Sequence, residues 1–404
     1  MTRRNSNDAD AVKSEDEGSA SADSASSPSP SGDIQPSTEV EPPLAARLRE
    51  RIRRGGALTF REWMRAALYD ERGGYYRRRG AERWGRAGDY RTSPERSALF
   101  AATFARHFAK VFDELGRPKV LHLLESGGGA GHFASGVLQT LQRDSPHVFS
   151  NLRYIFDESS EDSRSRAAAL LAPFADRVEF VNLQDIKGTL DALIVFSNEL
   201  LDAFPVNRVV KRGGELRELY VGLDEDGNFA WIEDALSTPE LAEHFERMNV
   251  VLPEGHIAEV SLEAEAWVTR VAELFGSGYV FTVDYGDEAA ALFDTARGRE
   301  GTLRAFRGHE FAEDVLANPG EQDLTTTVNW THVVSAGERV GLRTVELVGL
   351  HKFLLNNGLL EQLERECAHA SGEREVARLR LGAREMILPG GMAAHFQVLV
   401  QRKP

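Results

Sequence analysis

Four glycines in five positions, Gly127, Gly128, Gly129 and Gly131, follow the apolar run "KVLHLL" and a single acid, Glu125. Backbone this bare reaches positive φ and lets a ligand approach the main chain closely. A phosphate-binding dinucleotide loop would read G-x-G-x-x-G ahead of a helix. Here that register fails at His132 when started from Gly127, and at Ala130 when started from Gly128. The order from Glu125 to Gly131 is instead acid-x-G-x-G-x-G. An acid at the entrance suits a cationic ligand better than a pyrophosphate. Loops of this pattern open the cofactor sites of Rossmann-like enzymes that use S-adenosylmethionine, a ligand with an α-amino group, a sulfonium and no phosphate. Glu125, Gly127, Gly129 and Gly131 are therefore the first cofactor-binding candidates, with a plain glycine-rich turn as the alternative.

Further acids follow at spacings that fit the same ligand. The next apolar run, "LRYIFDES", ends in Asp157 and Glu158. An acid at the end of the second strand is placed to accept from ribose hydroxyls, with Asp157 the first choice and Glu158 its neighbour. After a third run comes "NLQD", where Asp185 either accepts from an adenine amino group or caps a turn. A fourth, "DALIVFSNELLDAFP", delivers Asn198, Glu199 and Asp202 beside the expected methyl donor. On their own, Glu199 and Asp202 would read as turn caps.

These residues need a frame that brings strand ends together. Short apolar runs separated by amphipathic stretches such as "HFASGVLQTLQR" indicate buried parallel strands with helical crossovers. The expected fold is α/β, a Rossmann-like class I methyltransferase sheet. "GSGYVFTVDYGD" reads as a further buried strand with Asp284 at its exit. Residues 43–118 read as a helical N-terminal cap, and 119–404 as the methyltransferase domain. Two stretches interrupt the alternation. Residues 207–260 begin with period-two hairpins around Gly213-Gly214 and Asp226-Gly227, and residues 298–330 are polar and irregular. Both follow strand ends, where insertions overhang the ligand crevice of an open α/β sheet.

Composition narrows the class. The 404 residues carry a formal charge of -15, which does not advertise nucleic-acid binding. Cys367 is the single cysteine, so neither an intrachain disulfide nor a cysteine zinc cluster can form. No histidine and acid cluster has metal-ligand spacing, and no run is long enough to span a bilayer. Residues 1–42, rich in Ser, Asp, Glu and Pro, are expected to be a disordered acidic tail. Lacking the marks of a secretory or mitochondrial leader, the chain is expected to be cytoplasmic and bacterial.

The fourth run carries the most specific pattern. "NELLDAFPV", residues 198–206, resembles the N-E-x-x-D-A-x-P-V motif of the MidA family of S-adenosylmethionine-dependent methyltransferases. "GGYY" (73–76), "GRAGDYRTSPERS" (85–97), "VDYG" (283–286), "GTLRAFRGHEF" (301–311) and "PGEQDLTTTVNW" (319–330) match further family elements in order, over about residues 55–360. The sequence departs from the family where Gly128 and Ala130 replace Pro and Arg. It departs again at "GGMAAHFQVL", which lacks the usual Gly and Lys.

The family includes a mitochondrial complex I assembly factor that methylates an arginine. The resemblance therefore implies methyl transfer to a protein, most plausibly to an arginine side-chain nitrogen, with a respiratory-complex subunit as one possible substrate and a homodimer as a possible assembly. Carboxylates can hold a guanidinium bidentately and accept its proton. Glu199 and Asp202 are the catalytic candidates, with Asn198 shaping the site and also touching cofactor. Asp89, Thr92, Pro94, Glu95, Asp284, Tyr285 and His309 are substrate or lid candidates, and Asp323 a structural one. Two rival readings stand beside this one: a non-catalytic assembly chaperone that retains the fold, and a small-molecule O- or N-methyltransferase.

Overall fold

A computed structural model describes residues 43–78, 98–294, 299–307, 310–388 and 395–404. Asp89, Thr92, Pro94, Glu95 and His309 lie outside these residues. The strands, in chain order, are β1 (Leu58–Thr59), β2 (Leu121–Ser126), β3 (Leu152–Asp157), β4 (Val178–Phe180) and β5 (Leu190–Asn198). Then come β6 (Asn207–Arg212), β7 (Glu215–Leu223), β8 (Phe229–Asp234), β9 (Ile257–Val260) and β10 (Phe275–Asp287). The last are β11 (Arg304–Arg307), β12 (Glu310–Ala312), β13 (Asp323–Thr325), β14 (Val328–Asn329), β15 (Arg343–Gly349) and β16 (Phe396–Lys403).

The central sheet runs β15-β16-β10-β5-β2-β3-β4. Strands β2 to β5 and β10 pair in parallel, and β16 runs antiparallel between β10 and β15. Side chains alternate across the sheet, so a continuous apolar strand feeds two cores. Leu123, Ile194 and Phe196 face a layer that includes helices Ala98–Glu114 and His132–Asp144. Leu124, Leu193 and Val195 face helices Leu262–Glu273 and Trp330–Arg339. Phe133 stacks on Phe196 with centroids 3.8 Å apart, seating the helix after the glycine loop directly on β5.

Three sequence expectations change. Helix Ala98–Glu114, expected within the N-terminal cap, packs in the main core through Phe100, Phe104 and Phe108, all fully buried. The segment near 298–330 is not irregular throughout: β11, β12 and β13 form a small antiparallel sheet. Asp284 lies inside β10 rather than at its exit, because the strand continues to Asp287 by pairing with β14.

The cap and the insertions share structure. Strand β1 adds to the inserted sheet of β6 to β9 by pairing with β7. Helix Phe60–Tyr69 starts in a capping box in which Thr59 and Glu62 satisfy each other's backbone N–H groups. It buries Phe60, Trp63 and Met64 in a core shared with Val221, Ala305 and Leu324. No described helix is long and apolar enough to cross a membrane.

Candidate active site

A cleft of about 690 Å³ opens at the carboxyl ends of β2, β3 and β5, where an open α/β sheet binds its ligand. The glycine loop forms its floor. Gly127, Gly129 and Gly131 adopt φ of 73°, 56° and 84°, a region that other residues enter only at a cost. The N–H groups of Gly127 and Gly128 donate to the Asp157 carbonyl at 2.8 and 3.2 Å. That of Gly129 donates to Glu158 Oε2 at 2.8 Å. Gly131 caps the helix that begins at His132 and does not itself line the cleft. Gly128 has a different reason to be glycine. A Cβ there would stand 2.4 Å from two atoms of the buried Phe156 ring, so this ring excludes the family's usual proline.

Glu125 lines the cleft but is only 4% exposed. Burial pushes its carboxyl up to about 8, against the opposing effect of Tyr154, whose hydroxyl donates to Oε2 at 2.7 Å; the nearby Glu158 adds to the rise. Asp157 and Glu158 both line the cleft, and burial raises both carboxyls. Asp157 accepts from the Ser126 hydroxyl at 2.7 Å and from Leu183 N–H at 3.0 Å. Glu158 also accepts from Ser160 N–H at 2.6 Å. In the free protein, then, both acids hold loops together. Asp185 does not line the cleft: it accepts from the Asn182 amide at 3.1 Å, while Asn182, Leu183 and Gln184 provide the wall.

The β5 exit is the most constrained part of the site. Glu199 lines the cleft with φ of 52°, a left-handed conformation rare for a residue with a side chain. Its N–H donates to the Val283 carbonyl at 3.0 Å, and its Oε1 accepts from the Asn198 amide at 2.9 Å. Asn198 Oδ1 is buried with no hydrogen-bond partner among the described residues. An orphaned acceptor beside the half-buried Glu199 carboxylate fits a ligand that brings N–H donors and positive charge.

Asp202, Asp284 and Tyr285 stand behind this wall and do not line the cleft. Asp202 was expected as a catalytic group and Asp284 and Tyr285 as substrate or lid residues; here the three join a network beneath the cleft wall. Asp284 Oδ2 accepts from the N–H groups of Leu201 and Asp202 at 3.0 and 3.3 Å, bracing the turn that carries Glu199. Tyr285 donates from its hydroxyl to Asp202 Oδ2 at 2.8 Å. Burial pushes Asp202 up to about 6 despite that bond. It raises Asp284 well above the carboxylate range, with Asp202 and then Glu199 adding to the effect. Asp323 is likewise buried and accepts from the Tyr76 hydroxyl at 2.7 Å, a structural role.

Several wall residues carried no sequence signal. Trp267 donates to Ser126 Oγ at 3.2 Å, and its place on an amphipathic helix reads as core. Arg65 and Tyr69 reach the cleft from the cap helix, and Glu263 from helix Leu262–Glu273. Their spacing shows only helical faces; which face meets a ligand is decided by tertiary packing. No group of three or more metal-ligating side chains occurs among the described residues.

Comparison with known proteins agrees with this geometry. A family model described as "Putative S-adenosyl-L-methionine-dependent methyltransferase" matches residues 103–348. A Burkholderia thailandensis protein whose crystal structure holds S-adenosyl-homocysteine superposes with a TM-score of 0.77 at 28% identity, covering 89% of this chain and 91% of its own. The mitochondrial protein arginine methyltransferase NDUFAF7 homolog of Drosophila melanogaster is 25% identical over 88% of this chain and 84% of its own length. Its Caenorhabditis elegans counterpart is 27% identical over 70% and 69%. A glycine cradle, a buried acid and an orphaned acceptor at the strand ends thus meet a family match that covers the parallel strands β2 to β5 and β10. The chain belongs to this family of MidA-like class I methyltransferases, and S-adenosylmethionine is its cofactor.

Proposed function

We propose that the chain methylates a protein, at an arginine side-chain nitrogen. The observation that carries the reading is Glu199, held at φ of 52° in the cofactor cleft with Asn198 hydrogen-bonded to its carboxylate. Backbone strain of this kind persists where the surroundings over-determine it, and it clusters at functional sites. The names of the relatives, protein arginine methyltransferases, support the choice of target.

In this reading Glu125 and Asn198 Oδ1 hold the amino-acid end of the cofactor. Asp157 and Glu158 face its ribose, and Leu183 and Gln184 flank its adenine. Bound there, the cofactor supplies a methyl group on a sulfonium. Glu199 accepts hydrogen bonds from the target guanidinium, aligns one nitrogen and localises its charge. As the N–C bond forms and the C–S bond breaks, that nitrogen gives its proton to the Glu199 carboxylate. Trp267, Tyr69 and Phe204 wall the cleft and limit water around the reacting atoms.

The test is transfer of a labelled methyl group from S-adenosylmethionine into cell lysate, separated into protein and small-molecule fractions. Label recovered as methylarginine after protein hydrolysis supports the reading. Label confined to small molecules overturns it in favour of metabolite methylation.

A further inference from the structure

We infer that a second cavity, next to the cofactor cleft, is the docking groove for the polypeptide flanking the methylated residue. This rests on the protein-substrate reading above. The cavity has a volume of about 730 Å³, comparable to the cleft itself. It lies between the cap helix Phe60–Tyr69, the start of helix Glu240–Arg247 and the outer face of helix Leu262–Glu273. Arg65 and Ala266 line both spaces, so the two share a wall.

That wall is held by ion pairs to one carboxylate. Glu263, which lines the cleft, accepts from Arg61 through Nε and Nη2 at 3.0 and 2.8 Å, both to Oε1, and it also pairs with Arg65. Two guanidiniums thus share one carboxylate. Burial and then the neighbouring Arg61 lower the Arg65 pKa, while Glu62 and Tyr69 act the other way. The Arg65 side chain is 49% exposed and that of Glu263 25%. The more exposed arm, from Arg65, contributes less than a buried ion pair would, and is the one a competing guanidinium can replace. A target arginine entering from the groove can take the Glu263 carboxylate in place of Arg65 and pass into the cleft.

The lining of the groove suits a peptide. Thr59, Thr238 and Thr269 donate their hydroxyl protons to Glu62, Glu240 and the Glu265 carbonyl, so their oxygens are left to accept from the N–H groups of an extended main chain. Its four glutamates are matched by four arginines, so the groove has no net positive charge to draw in a nucleic-acid backbone.

Two full-length variants test the groove from opposite walls, Thr269→Trp and Thr238→Trp, so that misfolding of one leaves the other informative. Each is measured for S-adenosylmethionine affinity by calorimetry and for labelled-methyl transfer into lysate protein. The expected result is a donor affinity within about twofold of wild type and at least a tenfold loss of protein labelling. Wild-type labelling in a folded variant overturns the groove and leaves the protein-substrate reading standing. A tenfold loss of donor affinity also overturns it, since the substitution then acts on the cofactor cleft. Failure of the wild type to label any protein removes the protein-substrate reading, and the groove with it.

Discussion

Glu125 sits under a fixed cost in the free protein: its buried carboxyl, pushed up to about 8, keeps its proton at neutral pH. Holding a cationic amino group requires the carboxylate. Below pH 7.5 donor binding should therefore release close to one proton, and affinity should rise with pH by up to about tenfold per unit. Calorimetry between pH 6 and 7.5, in buffers of different ionisation heat, reads both. A flat affinity with no proton release would remove Glu125 from contact with the ligand's charge. The same shift bears on folding. Because the folded pKa lies above the unfolded one, the unfolded chain ionises first and stability falls as pH rises from about 4.5 towards 8. Glu125→Gln should bind donor more weakly yet lose less stability over that window. Glu199 offers a second separation of stability from function. Glycine at φ of 52° is unstrained. Glu199→Gly should therefore match or exceed wild type in thermal stability while losing methyl transfer by two orders of magnitude or more. A variant that melts early, or one that stays active, would contradict a strained catalytic carboxylate.

At the scale of elements, the glycine loop and β3 are fitted to each other through Gly128 and Phe156. Gly128→Ala alone should cost about 1–3 kcal/mol, because its Cβ overlaps a fully buried ring. In a Phe156→Leu background that cost should shrink, giving a coupling of at least about 0.5 kcal/mol in a denaturation cycle. Strict additivity would mean that the ring moves aside freely. The pair also shows how far the sequence could be read. The departure from the family's proline was visible in one position, but its cause lies 28 residues away and appears only when β3 pairs with β2. Parallel strands and the acids at their ends were legible because apolar runs and their exits are local signals. The places of Asp202, Asp284 and Tyr285 beneath the cleft wall were not legible, because their motif fixes their order along the chain and not the face they turn to. Only the continuation of β10 to Asp287, and its pairing with β14, turns Asp284 inward to brace the 199–202 turn. Arg65, Trp267 and Glu263 looked like ordinary helix faces for the same reason.

At the scale of the molecule, the cap, which lends Arg65, Tyr69, Tyr76 and Arg77 to the cofactor cleft, is fixed to the far insertion. Gly320 has φ of 89°, and a Cβ on it would stand 2.0 Å from the Gly73 carbonyl oxygen. Three residues on, Asp323 accepts from Tyr76, whose ring stands 5.4 Å from that of Tyr69; both tyrosines line the cleft. Contact between the 73–76 and 320–323 loops thus sets where two cleft walls stand, though neither glycine touches the cleft. Gly320→Ala must separate the loops and adopt a left-handed backbone, at a cost of about 1–2 kcal/mol from the backbone alone. Its effect should exceed that figure and should also reach the ligand. Measured well below the melting temperature, donor affinity should fall severalfold in the folded variant. Tyr76→Phe, which removes the bond to Asp323, should produce a smaller loss in the same direction. A Gly320→Ala protein that melts earlier yet binds donor as wild type does would show that the cap is fastened to the insertion without shaping the cleft.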